Sequence, residues 1–331
     1  MKLATFQDNA GNRHVGAVHT GDSHILDLAL AAGRSGRSPG FFASMLALME
    51  AGDRGLDTAR ELLAANDGDP VLDHDLSAVA LLSPVPVPQS IRDFVTFPGH
   101  ILNAPRALQT LSAKMAGTPP PELPPAAEVP PVYQRQPNFY KGNRFTVIGT
   151  GDPMRRPRDS QYLDYELEFG VFTTRRASNI GAAQARQHIF GYAIFNDFSA
   201  RDIQVREMGG MTGPCKSKDF DTGNAIGPWI VTADEIPDPY RLTMTSRVNG
   251  ETWCTGTSAG MIHSFEDMVA YVSRDETIHP GEFFGSGTVG GGTGMELGRF
   301  LDDGDVVELE VTGLGVLRNQ VTAAVQPRGQ A

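Results

Sequence analysis

The sequence predicts a mainly β protein of the α+β class, with a small N-terminal α+β module ahead of a larger, strand-rich domain. Short strand-like runs dominate after about residue 85, at 165–172, 226–232, 242–248 and 306–311. No regular strand–helix alternation is present, which argues against a doubly wound parallel sheet. The closely spaced Pro84, Pro86 and Pro88 mark a linker. The expected division is therefore 1–85 and 86–331.

In the first segment, residues 1–6 and 13–18 read as short strands around the turn at 8–12, and 24–30 continues that pattern. Residues 41–50 and 57–64 carry apolar side chains at helical spacing. Asp73-His74-Asp75 has metal-ligand residue types, but a capped surface turn explains it with no further ligand nearby. Residues 118–131 are too rich in proline for a helix interior or a central strand, which predicts an exposed insertion over about 113–135, or a lid beside a site. Helices are expected at 182–189 and 264–273, the latter opened by a capping box of Ser264 and Asp267.

Composition narrows the function. Of 331 residues, 40% are hydrophobic and 20% charged, as in ordinary globular proteins, and the formal charge of −11 argues against nucleic acid or an anionic membrane surface as partner. No apolar run reaches the roughly 18 residues of a membrane span, and the N-terminal residues do not read as a signal peptide, so the expected location is the cytoplasm. Cys215 and Cys254 are the only cysteines, so neither a disulfide framework nor a cysteine zinc site is indicated. Gly290-Gly291-Gly292 lacks the Gly-Lys-Ser/Thr of a phosphate loop and reads as a turn.

Three segments carry chemistry. Tyr165-Glu166-Leu167-Glu168-Phe169 alternates strictly, so on a strand Glu166 and Glu168 share one face, roughly 6–7 Å apart. Such a pair is either a solvated acidic face or one half of a cation site, since a divalent ion turns the mutual repulsion into binding. Asn196-Asp197-Phe198-Ser199-Ala200-Arg201-Asp202-Ile203-Gln204 follows an apolar run, where a strand end would present Asp197. Arg201 and Gln204 then lie one helical turn apart and face the same way. Helix capping by Asp197 or Ser199 is the competing reading. In the third segment Asp93 stands seven residues before His100 on an expected loop, and His100 suits general-base work near neutral pH.

In order along the chain, these segments resemble the fumarylacetoacetate hydrolase family, its fumarylacetoacetase-like branch in particular. The Asn-Gly hairpin at Asn249-Gly250, the Gly-Thr turn at Gly285-Ser286-Gly287-Thr288, and the ending from Leu301-Asp302-Asp303-Gly304-Asp305 to Gly313-Leu314-Gly315 extend the likeness over nearly the whole chain. It implies a mixed β-roll or barrel catalytic domain, a homodimer and a role in aromatic catabolism. It also implies a divalent metal held by Asp93, Glu166, Glu168 and Asp197. Hard oxygen ligands suit Mg²⁺ first, with Mn²⁺ and Ca²⁺ as alternatives. The same likeness makes His100 the general base and Glu296 the residue that orients it. It assigns Arg201, Gln204 and Lys218 to oxyanion and substrate binding, and Thr222 and Thr288 to the substrate.

The implied reaction is hydrolysis of a carbon–carbon bond in a 1,3-dicarbonyl acid of acylpyruvate or fumarylacetoacetate type. His100 would activate water, and the metal would hold the enolate leaving group. Val95 and Met208 replace two substrate-contacting tyrosines of true fumarylacetoacetases, which points to another substrate. Asn103 replaces the glutamate of the His–Glu dyad used by shorter acylpyruvase-type relatives. Two alternatives stay open. A decarboxylase, dehydratase or isomerase of a 2-keto acid could use the same metal site, and a non-catalytic dimeric binding protein could keep the fold alone.

Overall fold

Burial on both faces of the first strand, Lys2–Gln7, sets the architecture, because its two faces enter two different cores. Leu3 faces one core and Ala4 and Phe6 the other. The computed structural model describes residues 1–124 and 128–324. Strands prevail over helices, as the α+β, mainly β reading expects.

The strand Lys2–Gln7 pairs with Arg13–His19 and, on its other edge, with Asn224–Thr232. The main sheet continues from there through Ile189–Asp197, Leu167–Thr173, Phe283–Gly285 and Ile91–Phe94 to Phe139–Gly142. Residues on both sides of position 85 therefore share one sheet. All nine residues of Ile189–Asp197 and of Asn224–Thr232 are buried, so these central strands read as apolar runs rather than alternating ones. The helices Leu28–Arg34, Met45–Ala51 and Asp53–Ala64 cover one face of the sheet. The other face packs on the helix Phe265–Val272 and on a second sheet that includes Thr243–Val248, Val306–Val311 and Gly315–Thr322.

Several local expectations are met. The helix Phe265–Val272 opens with the Ser264–Asp267 capping box, each side chain bonding the other's backbone N–H, a motif typically worth about 1 kcal/mol. Others are corrected. Residues 24–30 hold a strand only at His24–Asp27, because the Asp27 carboxylate accepts from the Leu30 N–H and starts a helix. Asp73–Asp75 is a short edge strand paired with His24–Asp27 rather than a simple turn, although Asp75 does cap the turn after it.

The segment around His100 is not a loop. A 19-residue helix, Pro98–Ala116, starts with Pro98 in its first turn, where a missing N–H does no harm. It ends at Gly117 in the left-handed conformation, φ 66°. Pro105 sits inside it, which hid the helix from pattern reading. The proline-rich stretch therefore begins at a helix end and leads to the short helix Pro131–Arg135, with 125–127 outside the described residues. Among the described residues, no helix is long and apolar enough to cross a membrane.

Candidate metal centre and acid–base pair

Three carboxylates converge toward one end of the main sheet. Oxygens of Asp93, Glu166 and Glu168 lie within 4.8 Å of one another. Asp93 arrives from Ile91–Phe94, Glu168 from Leu167–Thr173, and Glu166 from an isolated bridge to Thr293 just before that strand. Glycine makes the approach possible, since a Cβ at Gly285 would stand 2.4 Å from Asp93 Oδ1. The alternation read from the sequence does place both glutamates on one face, but that face is not solvated. Glu168 is 0% and Glu166 4% exposed.

The hydroxyl of Thr288 ties the pair together, donating to Glu166 Oε2 at 2.8 Å and lying 3.0 Å from Glu168 Oε1. The Gly287 N–H donates to Glu168 Oε2 at 3.0 Å. Asp197 adjoins the cluster without belonging to the convergent three. Its Oδ2 accepts from the Tyr140 hydroxyl and the Lys218 ammonium, and its Oδ1 is buried with no hydrogen-bond partner.

Two cations brace the acids. Arg201 Nη2 lies 2.8 Å from Glu166, its Nε donates to Asp164 at 2.8 Å, and its Nη1 donates to Gln204 Oε1 at 2.8 Å. Lys218 Nζ lies 2.9 Å from Glu166 and also bonds Asp197. Among the described residues, Asp93, Asp164, Glu166, Glu168 and Asp197 thus share a buried region with the cations Arg201 and Lys218, so full ionisation of these groups leaves three negative charges in excess.

The ionisation of the acids reflects that excess. Burial, with the Asp197 charge next, raises the Asp93 carboxyl to about 8. Burial, then Asp93 and Glu166, push Glu168 well above the usual carboxylate range. Burial raises Asp197 to about 6 against the pull of Lys218. For Glu166 the burial effect is outweighed by Lys218 and Arg201, which hold it far below its ordinary value. Asp93 Oδ1 is also buried without a hydrogen-bond partner. Unpartnered buried oxygens and surplus negative charge on hard donors fit a divalent cation, which would supply both the missing bonds and the missing charge.

A cavity of about 640 Å³ opens onto this cluster, and His100 lines it from the first turn of the helix Pro98–Ala116. Its Nδ1 stands 3.3 Å from Glu296 Oε2. Glu296 is held in turn by the Gly291 N–H at 3.2 Å and the Thr293 hydroxyl at 3.3 Å. The helix and the Gly290–Gly292 turn can touch because both lack side chains at the crossing, where a Cβ on Gly290 would meet Gly99 Cα at 3.0 Å.

Of the residues anticipated for the site, Asp93, His100, Glu166, Glu168, Arg201, Gln204, Lys218 and Thr288 line the cavity together. Thr222 does not. It lies in a left-handed turn, φ 70°, and its hydroxyl accepts from the Arg155 N–H at 2.8 Å instead. Thr288 faces the cavity with its hydroxyl already engaged by the two glutamates. Sequence reading missed Tyr140 and Asp164. Tyr140 sits directly across from Asp93 in the strand register, and Asp164 pins Arg201. Neither lies in a recognisable motif, although Asp164 stands two residues before Glu166.

A mainly β scaffold with a buried, over-acidic cluster beside a His–Glu pair is the layout of an acid–base enzyme suited to a hard divalent cation. The model of the fumarylacetoacetate (FAA) hydrolase C-terminal domain matches residues 102–322, more than half of the chain, which belongs to that family. The mitochondrial oxaloacetate tautomerase fahd2 of Xenopus laevis is 28% identical over 97% of this chain and 90% of its own length. Human mitochondrial oxaloacetate tautomerase FAHD2A is 35% identical over 56% of this chain and 59% of its own. Among solved structures, the fumarylacetoacetate hydrolase of Exiguobacterium antarcticum superposes with a TM-score of 0.71 at 26% identity, covering 98% of this chain and 99% of that one. The maleylpyruvate hydrolase of Sphingobium sp. SYK-6, in complex with manganese(II) and pyruvate, shares the fold with a TM-score of 0.69 at 22% identity, over 98% and 100%.

Proposed function

We propose that this chain is a divalent-metal-dependent hydrolase that cleaves a carbon–carbon bond in a 1,3-dicarbonyl acid. The observation that carries this reading is the His100–Glu296 pair, whose imidazole borders the same cavity as the acid cluster while Glu296 stands behind it. Asp93, Glu166 and Glu168 would hold the cation, Mg²⁺ or Mn²⁺, with Asp197 beside them. When bound, the cation supplies Lewis acidity to the dicarbonyl oxygens and offsets the charge that builds as the bond breaks.

The protein's own groups do the rest. Glu296 accepts from the His100 Nδ1–H, which leaves Nε2 free to take a proton from water. The hydroxide adds to one carbonyl carbon. The bond to the central carbon then breaks with its electron pair on the leaving carbon, and the proton on His100 returns there. Lys218 and Arg201 offer positive charge at the developing oxyanion, and the Gln204 amide N–H group is free to donate because its oxygen is taken by Arg201. Pyruvate on the maleylpyruvate hydrolase fits a 2-oxo acid head group here, and the homodimer implied by the family is testable by light scattering.

A second reading, tautomerisation of a 2-oxo acid, is favoured by the likeness to oxaloacetate tautomerase along 97% of the chain. It needs the same acids and the same proton carrier but no water attack. The test uses chelated protein reloaded with Mg²⁺ or Mn²⁺. Loss of the ultraviolet band of an acylpyruvate, with two acids released and abolished in His100→Gln, supports hydrolysis. Faster keto–enol exchange of oxaloacetate with every 1,3-dicarbonyl left intact would replace it by the second reading.

A further inference from the structure

We infer that the substrate's acyl arm is apolar and uncharged, an alkyl or aryl group rather than a second carboxylate; this rests on the 1,3-dicarbonyl reading of the same site. The lining of the cavity is of two kinds. The acids, His100, Arg201 and Lys218 supply the charged part. Besides them, the helix Pro98–Ala116 presents Ile101, Ala104 and Leu108, spaced i, i+3 and i+7 on one face, with Val95, Tyr133 and Met208 also lining the space.

Among the described residues, no buried cation of this cavity is left unpaired to receive a distal carboxylate. Arg201 is committed to Asp164, Glu166 and Gln204, and Lys218 to Glu166 and Asp197. Lys141 lies at the exposed rim next to Tyr140. It borders the cavity with its side chain open to water, which screens its charge. The cations of the helix itself, Arg106 and Lys114, fall with Asn103 and Thr110 on another face, which lines a separate cavity of about 810 Å³. The helix thus segregates its side chains, with the apolar face lining the cavity that the acid cluster borders. A buried carboxylate there would lose its hydration with nothing in return, whereas each added methylene gains by leaving water.

Binding to the Mn²⁺-loaded protein separates this inference from the reaction. Calorimetry with 2-oxobutanoate, 2-oxohexanoate and 2-oxooctanoate is expected to show roughly three- to fourfold tighter binding per methylene. 2-Oxoadipate, which matches 2-oxohexanoate in length but ends in a second carboxylate, should bind at least tenfold more weakly. Leu108→Lys should reverse that preference. Met208→Lys, at an exposed position, makes the same test should Leu108→Lys fail to fold. A flat chain-length series, or 2-oxoadipate binding as well as 2-oxohexanoate, overturns the inference even where acylpyruvates are hydrolysed. A steep series in a protein that hydrolyses none of them upholds the apolar arm and sinks only the hydrolase reading. No binding of any 2-oxo acid overturns both.

Discussion

Two neighbouring residues on one strand, Arg92 and Asp93, point into buried charge clusters of opposite character. Arg92 bonds the buried Glu282 and the half-exposed Glu276 on its side of the sheet through its two terminal nitrogens, while its Nε is buried without a partner. Both oxygens of Glu282 have donors, Oε2 from Ser90 at 2.9 Å and from Arg92, and Oε1 from the His279 N–H at 2.8 Å. On the other side, Asp93 enters a group of five acids with two cations, and Asp93 Oδ1 and Asp197 Oδ1 have no partner. A buried cation matched by one buried carboxylate, as Arg92 is by Glu282, holds a fold together. Surplus like charge, buried and under-bonded, is tolerated where something else is to be bound.

That contrast predicts opposite responses to single substitutions. Arg92→Ala leaves the Glu282 carboxylate buried without its cation and should lower stability by about 3–5 kcal/mol. Asp93→Asn removes one of the surplus charges. Chelated at pH 8, that variant should melt no lower than the parent, while its Mn²⁺ affinity and turnover fall by at least a hundredfold. Chemical denaturation and calorimetry compare the two. A destabilised Asp93→Asn with intact metal binding would mean that the two clusters do the same structural job.

The second effect isolates chemistry from binding. His100→Gln and Glu296→Gln should each lower kcat, His100→Gln by roughly 10²- to 10⁴-fold, with Mn²⁺ affinity unchanged. Glu296→Gln should do less, because it alters only the partner of Nδ1. Loss of metal in His100→Gln would instead place the imidazole among the ligands.

These clusters were unequally legible in the sequence. Glu166 and Glu168 could be read from period-two alternation, because both lie in one short segment. The Ser264 capping box was visible for the same reason. His100 could be read as a candidate base from its residue type, but Asp93 as a ligand and Glu296 as the partner of His100 came only through resemblance, since pairing residues 196 positions apart depends on the fold. The helix carrying His100 was hidden by Gly99 and Pro105, whose local preferences oppose a helix that tertiary contacts sustain. Arg92 gave no signal at all. Nothing local distinguishes an arginine that bonds two glutamates more than 180 residues away.

A pH experiment sharpens the comparison further. In the chelated protein the raised Asp93, Glu168 and Asp197 carboxyls favour their protonated forms in the fold. Their stabilisation is complete below the unfolded carboxyl pKa of about 4. It is lost as pH rises through about 6 for Asp197 and about 8 for Asp93. Glu166 acts in the opposite sense at low pH, since its folded value is depressed. Between pH 6 and 8 the chelated protein should therefore lose thermal stability, and the gain in Tm on adding Mn²⁺ should be larger at pH 8. Asp93→Asn should flatten both trends. Equal metal-induced gains at the two pH values would show that no proton is displaced from the cluster.

The smallest effect lies within the matched cluster. Arg92 has one buried partner and one half-exposed one, since the Glu276 side chain is 44% exposed against 5% for Glu282. Water screens the outer contact and already solvates the carboxylate when it is broken, so Glu276→Gln should change stability by no more than about 1 kcal/mol, less still in high salt. Glu282→Gln strands the Arg92 guanidinium in the interior and should approach the Arg92→Ala loss. Denaturant melts of both variants at low and high salt measure the difference. If Glu276→Gln proved as damaging as Glu282→Gln, the strength of the Arg92 cluster would come from the number of its carboxylates rather than from burial, and the same reasoning could no longer explain why the Asp93 cluster is poised for a cation.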